Sequence, residues 1–169
     1  MCDLTAGRAK TCKIGIGGMR EFYLFNYVEN PFTIVNGAIT GINTVLTEVY
    51  KFKIEGTGNT LSSVMTPSVD NGTTVSVETL TVNLPLIDEA TSLQMNNLAK
   101  GFPMAVVKDK RGNYHAIGIN EGINFVVTEN TGGAGGDFNG YNLVGTSESY
   151  SLPPKLTGTV LTDFLELIV

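Results

Sequence analysis

The sequence predicts a mainly β fold with one flanking α-helix, on three observations. Val45 to Glu55, VLTEVYKFKIE, alternates: Tyr50, Phe52 and Ile54 fall on one side, Lys51, Lys53 and Glu55 on the other. That two-residue period marks a strand with one face on a core. Turn signals such as Asn36-Gly37, Asp70-Asn71-Gly72 and Asp109 to Asn113 separate short apolar runs. Only Glu89 to Lys100 is bracketed as a helix, with Asp88 placed to accept from the first-turn N–H groups and Gly101 to end it.

Residues 1–21 are polar and glycine-rich and hold no period, so they read as an N-terminal arm that is ordered only against something else. The run GIGG, with Gly15, Gly17 and Gly18, lacks the preceding strand and following helix of a phosphate loop. It reads as a flexible entry to the first strand and a candidate subunit contact. Phe22 to Val28 is apolar on both parities, which predicts a strand buried on both faces. Ala38 to Ile42 is a short strand, and Leu61 to Thr66 a weak one within a turn-rich stretch.

Thr73 to Leu84 is a long strand whose apolar parity switches between Val75/Val77 and Leu80/Val82/Leu84. A bulge near Glu78 would produce that switch, as would passage of the strand into a second packing environment. The helix that follows carries Ala90, Leu93 and Leu98 on one side, a narrow stripe suited to a sheet edge or face. Pro103 to Lys108 and Tyr114 to Ile119 form a hairpin, Phe125 to Thr128 a short strand and Phe138 to Thr146 a further one. Between the last two lies TGGAGGD. There Gly132, Gly133, Gly135 and Gly136, closed by Asp137, permit positive φ or close approach to a neighbouring chain, or form an ordinary surface loop. The apolar tail Val160 to Val169 either closes the core as a last strand, the preferred reading, or docks on another subunit.

Composition narrows the function. The 169 residues are 42% apolar, enough for one core. Only 16% are charged, against about 25% in the average soluble protein, which suggests surface covered by other subunits. Net charge is −5, which argues against a dedicated nucleic-acid binder but not against passive contact with DNA. No apolar run is long enough to span a membrane, and the N-terminus lacks a signal-peptide core. Cys2 and Cys12 read as free thiols, and no His/Cys cluster has zinc spacing. No cofactor is expected.

The catalytic menu is thin. His115 is the sole histidine, and on its strand it reads as a hydrogen-bonded sheet residue. Asp137 with His115 or Glu121 is the best acid–base set, but no nucleophile accompanies it. An enzyme is therefore not expected. A stand-alone β-sandwich binding module, a carbohydrate binder or fibre-like adhesin, is the alternative to a structural subunit, and the absence of Trp disfavours it.

The order of the pieces adds a resemblance. The chain runs GGM-x-x-FYLFNY, LTVNLPLIDEATSLQMNNLAKG, MAVVKDKRGNYHAIG and TGGAGGDFNGYNL. Over about residues 15–150 it resembles virion structural proteins of tailed bacteriophages, in particular tail-tube-like or tail-ring proteins of phages of gut Bacteroidetes. The resemblance implies a β-sandwich or partial barrel of tail-tube type over residues 22–150, with 151–169 as a C-terminal strand or docking tail. It also implies self-assembly into sixfold or twelvefold rings in the tail of the virion, beside neighbouring tail or neck proteins. Stacked rings would form the conduit for genome ejection, with DNA as a passing contact. Lys51, Lys53 and Glu55 are the candidate lumen or partner face, although a charged row of this kind reads first as an ordinary solvated face. Their mixed sign departs from the net-negative lumen the resemblance implies.

Overall fold

The computed structural model describes residues 4, 6–10, 13 and 15–169; Cys2 and Cys12 lie outside them. In chain order the strands are β1 (Met19–Phe25), β2 (Phe32–Val35), β3 (Ala38–Ile42), β4 (Tyr50–Lys53), β5 (Thr60–Ser68) and β6 (Thr73–Pro85). Helix α1 (Glu89–Lys100) precedes β7 (Met104–Asp109), β8 (Tyr114–Ile117), β9 (Asn124–Asn130), β10 (Gly140–Ser149) and β11 (Lys155–Leu156), and α2 (Gly158–Glu166) ends the fold. A seven-stranded sheet has the order β2-β3-β11-β8-β7-β1-β4, and a four-stranded sheet the order β5-β6-β10-β9.

The architecture is a β-sandwich-like stack with helical cover, as the mainly β reading expects. Its middle layer is the large sheet. On one side Phe22, Leu24, Ala105 and Val107 pack against Leu80, Val82, Tyr141 and Leu143 of the small sheet, and Met95 and Leu98 of α1 close the margin. On the other side Tyr23, Phe25, Met104 and Val106 pack against Phe164 of α2 and against Leu46 and Val49 of the β3–β4 connection. Phe164 meets the Tyr23 and Phe25 rings edge-on, at 5.7 and 6.3 Å between centroids. The two apolar parities of β1 thus fill two separate cores, as the sequence implied.

Local signals explain several elements. Asn36 and Gly37 both have positive φ, 51° and 76°, the pair a tight β2–β3 hairpin requires. Asp88 caps α1 by accepting from Thr91 N–H at 2.8 Å and from Thr91 Oγ1 at 2.6 Å. Phe22 and Phe52 stack at 4.9 Å across the β1–β4 pair, and Ile54 is buried.

Six expectations need correction. Val160 to Val169 is not a strand: Val160, Leu161, Phe164 and Leu165 recur at helical spacing, and α2 lays them on the second core. Only a single bridge, Val49 to Ile168, is strand-like there. The fold therefore has two helices. No bulge interrupts β6, whose register runs unbroken against β5 and β10. Its inward positions after Val75 are Ser76 and Glu78, so the parity switch marks polar groups in the core. Helix α1 buries Met95 and Leu98, while Ala90 and Leu93 face out, because Ser92 is drawn to the Tyr141 hydroxyl. Gly101 does cap the C-terminus of α1, as expected, in extended backbone with its N–H bonded to Asn97 O. Within Val45 to Glu55 only Tyr50–Lys53 is strand. Finally, β1 begins at Met19, inside the expected arm.

Phe164→Ala should lower stability by about 3–5 kcal/mol, since it empties a fully buried ring site. Leu93→Ala should change it by less than about 0.5 kcal/mol. Urea denaturation midpoints of the two variants check the assignment of the helical faces.

Candidate assembly surfaces

Each sheet leaves two edges, and they differ in how they are guarded. The large sheet ends in β2 and β4, four residues each; β4 carries Lys51 and Lys53. Short strands and lysines are the usual devices against edge-to-edge pairing. The small sheet ends in β5 and β9. Strand β5, TLSSVMTPS, is nine residues long, holds no charged side chain and is exposed along most of its length. Strand β9, NFVVTEN, carries one charge, Glu129.

The outer face of the small sheet is also uncharged over most of its width. Val75, Val77, Thr79 and Thr81 of β6 point away from the core, opposite Thr66, Val64, Ser62 and Thr60 of β5. Val144 and Val126 extend the face onto β10 and β9. Glu148 is the one charged side chain among the described strand residues on it. An asparagine ladder crosses the strands: Asn130 donates to Asn142, Asn142 donates to Asn83, and the Asn83 N–H donates to Asn59 Oδ1 at 2.8 Å.

Two carboxylates tie the strands together, Glu21 within the large sheet and Glu78 between the sheets. Glu21 on β1 takes Lys51 Nζ of β4 at 3.0 Å and Lys108 Nζ of β7 at 3.1 Å, and accepts from the Tyr23 hydroxyl at 2.8 Å. Burial alone would raise its pKa, but hydrogen bonds from Lys51, Tyr23 and Lys108 outweigh that and hold it at about 2. Glu78 is 2% exposed and joins the two sheets. It accepts from Ser147 Oγ of the small sheet at 2.8 Å and from Gly118 N–H, just past β8, at 3.1 Å. Burial pushes its pKa up, and these two donors only partly offset it.

The candidate lumen or partner row divides. Lys51 is held by Glu21, whereas Lys53 and Glu55 are exposed. The glycine loop is folded on itself: Asp137 accepts from Gly133 N–H at 2.9 Å and Ala134 N–H at 2.8 Å, which lowers its pKa. Gly132 alone of the four glycines has positive φ, +73°, and a Cβ there would stand 2.9 Å from the Asp137 Cβ. Gly135 and Gly136 face open space. In the arm, Gly15 and Gly17 are exposed, and Gly18 O accepts from Lys110 N–H at 3.0 Å.

His115 lies on β8 with Nε2 3.4 Å from Asp109 Oδ2, a carboxylate the sequence did not assign to it. That carboxylate also accepts from Arg111 N–H and from Asn113 N–H and Nδ2 within its turn. Ser63 lines the same cleft, but its hydroxyl pairs with Ser76 at 2.9 Å. Asp137 closes its own loop and Glu121 lines a separate groove, so the acid–base set weighed from sequence engages separate partners.

Sequence reasoning missed Glu78 and Gly145. Glu78 sits where the apolar parity lapses, a signal that reads equally well as a bulge. A Cβ on Gly145 would meet the Phe125 ring at 2.6 Å and Ile123 at 2.7 Å, a close approach visible only once the two are placed beneath it. Comparison with known proteins finds no matching family model, no matching curated protein and no matching solved structure.

Glu21→Gln should cost about 1–2 kcal/mol at neutral pH, through loss of charge-assisted bonds to Lys51 and Lys108. The depressed pKa means the unfolded chain binds the proton first, so this stability is present above pH 4.5 and fades as pH falls toward 2. Denaturation midpoints of the two proteins should therefore converge across that window.

Proposed function

We propose that the chain is a structural subunit of a tailed-bacteriophage tail, and that it assembles into rings forming the conduit for genome ejection. The observation that carries this reading is β5, a long edge strand without charge. A monomer has reason to guard such an edge, whereas a ring pairs it. Joining β5 of one copy to β9 of the next continues the small sheet from subunit to subunit. The contact is heterologous, and a rotation that closes stops growth in the plane. Low total charge and the motif resemblance support the same reading.

On this reading the lumen wall is the outer face of the small sheet, with Thr, Asn and Val side chains and Glu148, rather than Lys51, Lys53 and Glu55. A wall without concentrated positive charge releases few counterions from DNA, so the polyanion passes without being held. DNA is then a passenger.

Electron microscopy and sedimentation of the purified chain should give closed rings. Thr66→Lys with Val64→Lys should lower the mass toward the monomer while moving the monomer's stability by less than about 1 kcal/mol. A chain that stays monomeric at high concentration would contradict the reading and favour a stand-alone binding module. Labelled duplex DNA should remain unbound by the free subunit at physiological salt; micromolar affinity would contradict the passive conduit.

A further inference from the structure

We propose that the basic N-terminal arm of one copy docks in an aromatic groove at the opposite pole of a second copy. The inference rests on the reading that copies associate, and adds a contact along the axis rather than around it.

The groove is formed by two clefts of about 400 and 480 Å³ that meet at Glu121. Phe102, Tyr27 and Tyr150 line it and are 60, 46 and 79% exposed, a large aromatic surface left bare. Glu29, Glu121 and Glu148 stand among them, and neither cleft is lined by a lysine or arginine. The groove therefore suits a cation-bearing segment with apolar side chains, and arginine over a tyrosine or phenylalanine face adds to the fit.

This chain carries such a segment. Residues 1–18 hold Arg8, Lys10 and Lys13 against Asp3, net +2, which leaves −7 on the rest of the chain. Every described residue from 4 through 18 is exposed, and Leu4 is 99% exposed, so these residues bury little on their own body.

The geometry separates arm and groove. The arm enters β1 at Met19, beside the β7–β8 turn that carries Lys110 and Arg111. The groove loops lie past Phe25, where β1 ends opposite Met104 and where Tyr27 bonds Asn120 O. β1 places the two about 20 Å apart at opposite ends of the sheet. Translating one copy along this strand direction sets the arm root of one beside the groove of the next. Eighteen extended residues reach about 60 Å, enough for the groove of a neighbour or of the same copy, and isotope-resolved cross-linking separates the two.

The test is a charge exchange in the full chain, read by sedimentation in low and high salt. Reversing Arg8, Lys10 and Lys13 to Glu should weaken stacking of rings roughly tenfold or more while leaving the ring mass unchanged. Reversing Glu29 and Glu121 to Lys should do the same, and combining the two sets should restore stacking. Cross-linking of mixed heavy- and light-isotope copies should join arm to groove between copies. Arm–groove links confined to one copy, stacking indifferent to all three variants, or no restoration by the exchange would each overturn the proposal. If rings do not form but arm–groove links between copies persist, the ring reading fails and this inference stands. If rings form and stack regardless of these charges, the reverse holds.

Discussion

A large sheet buried on both faces is the constraint on which the rest of the molecule depends. Strands β1 and β7 put apolar side chains on both parities, so neither face can be left to water. One face takes the small sheet and the margin of α1; the other takes α2 and the β3–β4 connection. One cover, α2, comes from the C-terminal residues, so the second core is complete only when they dock. A tail that reads in isolation as a last core strand is instead a helix, and it is the lid of the second core.

Polar groups then set the register that apolar packing leaves loose. Glu21 pins β4 and β7 to β1, and Glu78 ties the sheets to one another through Ser147 and Gly118. Their titrations oppose each other. Glu21 favours the folded state once ionised, whereas Glu78, with its raised pKa, gives its full support below the ordinary value of 4.5 and loses it as pH rises from there through the raised value. The asparagine ladder is neutral and crosses the small sheet without charge, which keeps the outer face free of fixed cations.

Much of this was legible in the residues. The doubly apolar β1, the capped α1, the Asn36-Gly37 hairpin and the Tyr114 hairpin follow from period and turn chemistry. Where the reading failed, two signals shared one appearance. Val160, Leu161, Phe164 and Leu165 are apolar enough for a strand, and only their spacing marks a helix. Glu78 broke an apolar parity, and a buried carboxylate gives the same pattern as a bulge. The outward row Lys51, Lys53 and Glu55 was visible, but the partner that takes Lys51, thirty residues earlier, was not. The groove gathers Tyr27, Phe102, Glu121 and Tyr150 from four separate loops, and no local pattern announces such a convergence.

What remains unpaired is as telling as what is paired. Backbone groups along β5 and β9 have no partner beyond their own sheet, and apart from Pro67 on β5 and Glu129 on β9 their side chains supply little to repel one. Assembly through the small sheet therefore depends on those edges. Amide hydrogen exchange of the full chain, compared at dilute and high concentration, tests it most directly. The outward amides of β5 and β9 should exchange quickly when dilute and become protected on association, while β1 and β7 stay protected throughout. Protection that appears elsewhere, with β5 and β9 equally labile at both concentrations, would contradict it.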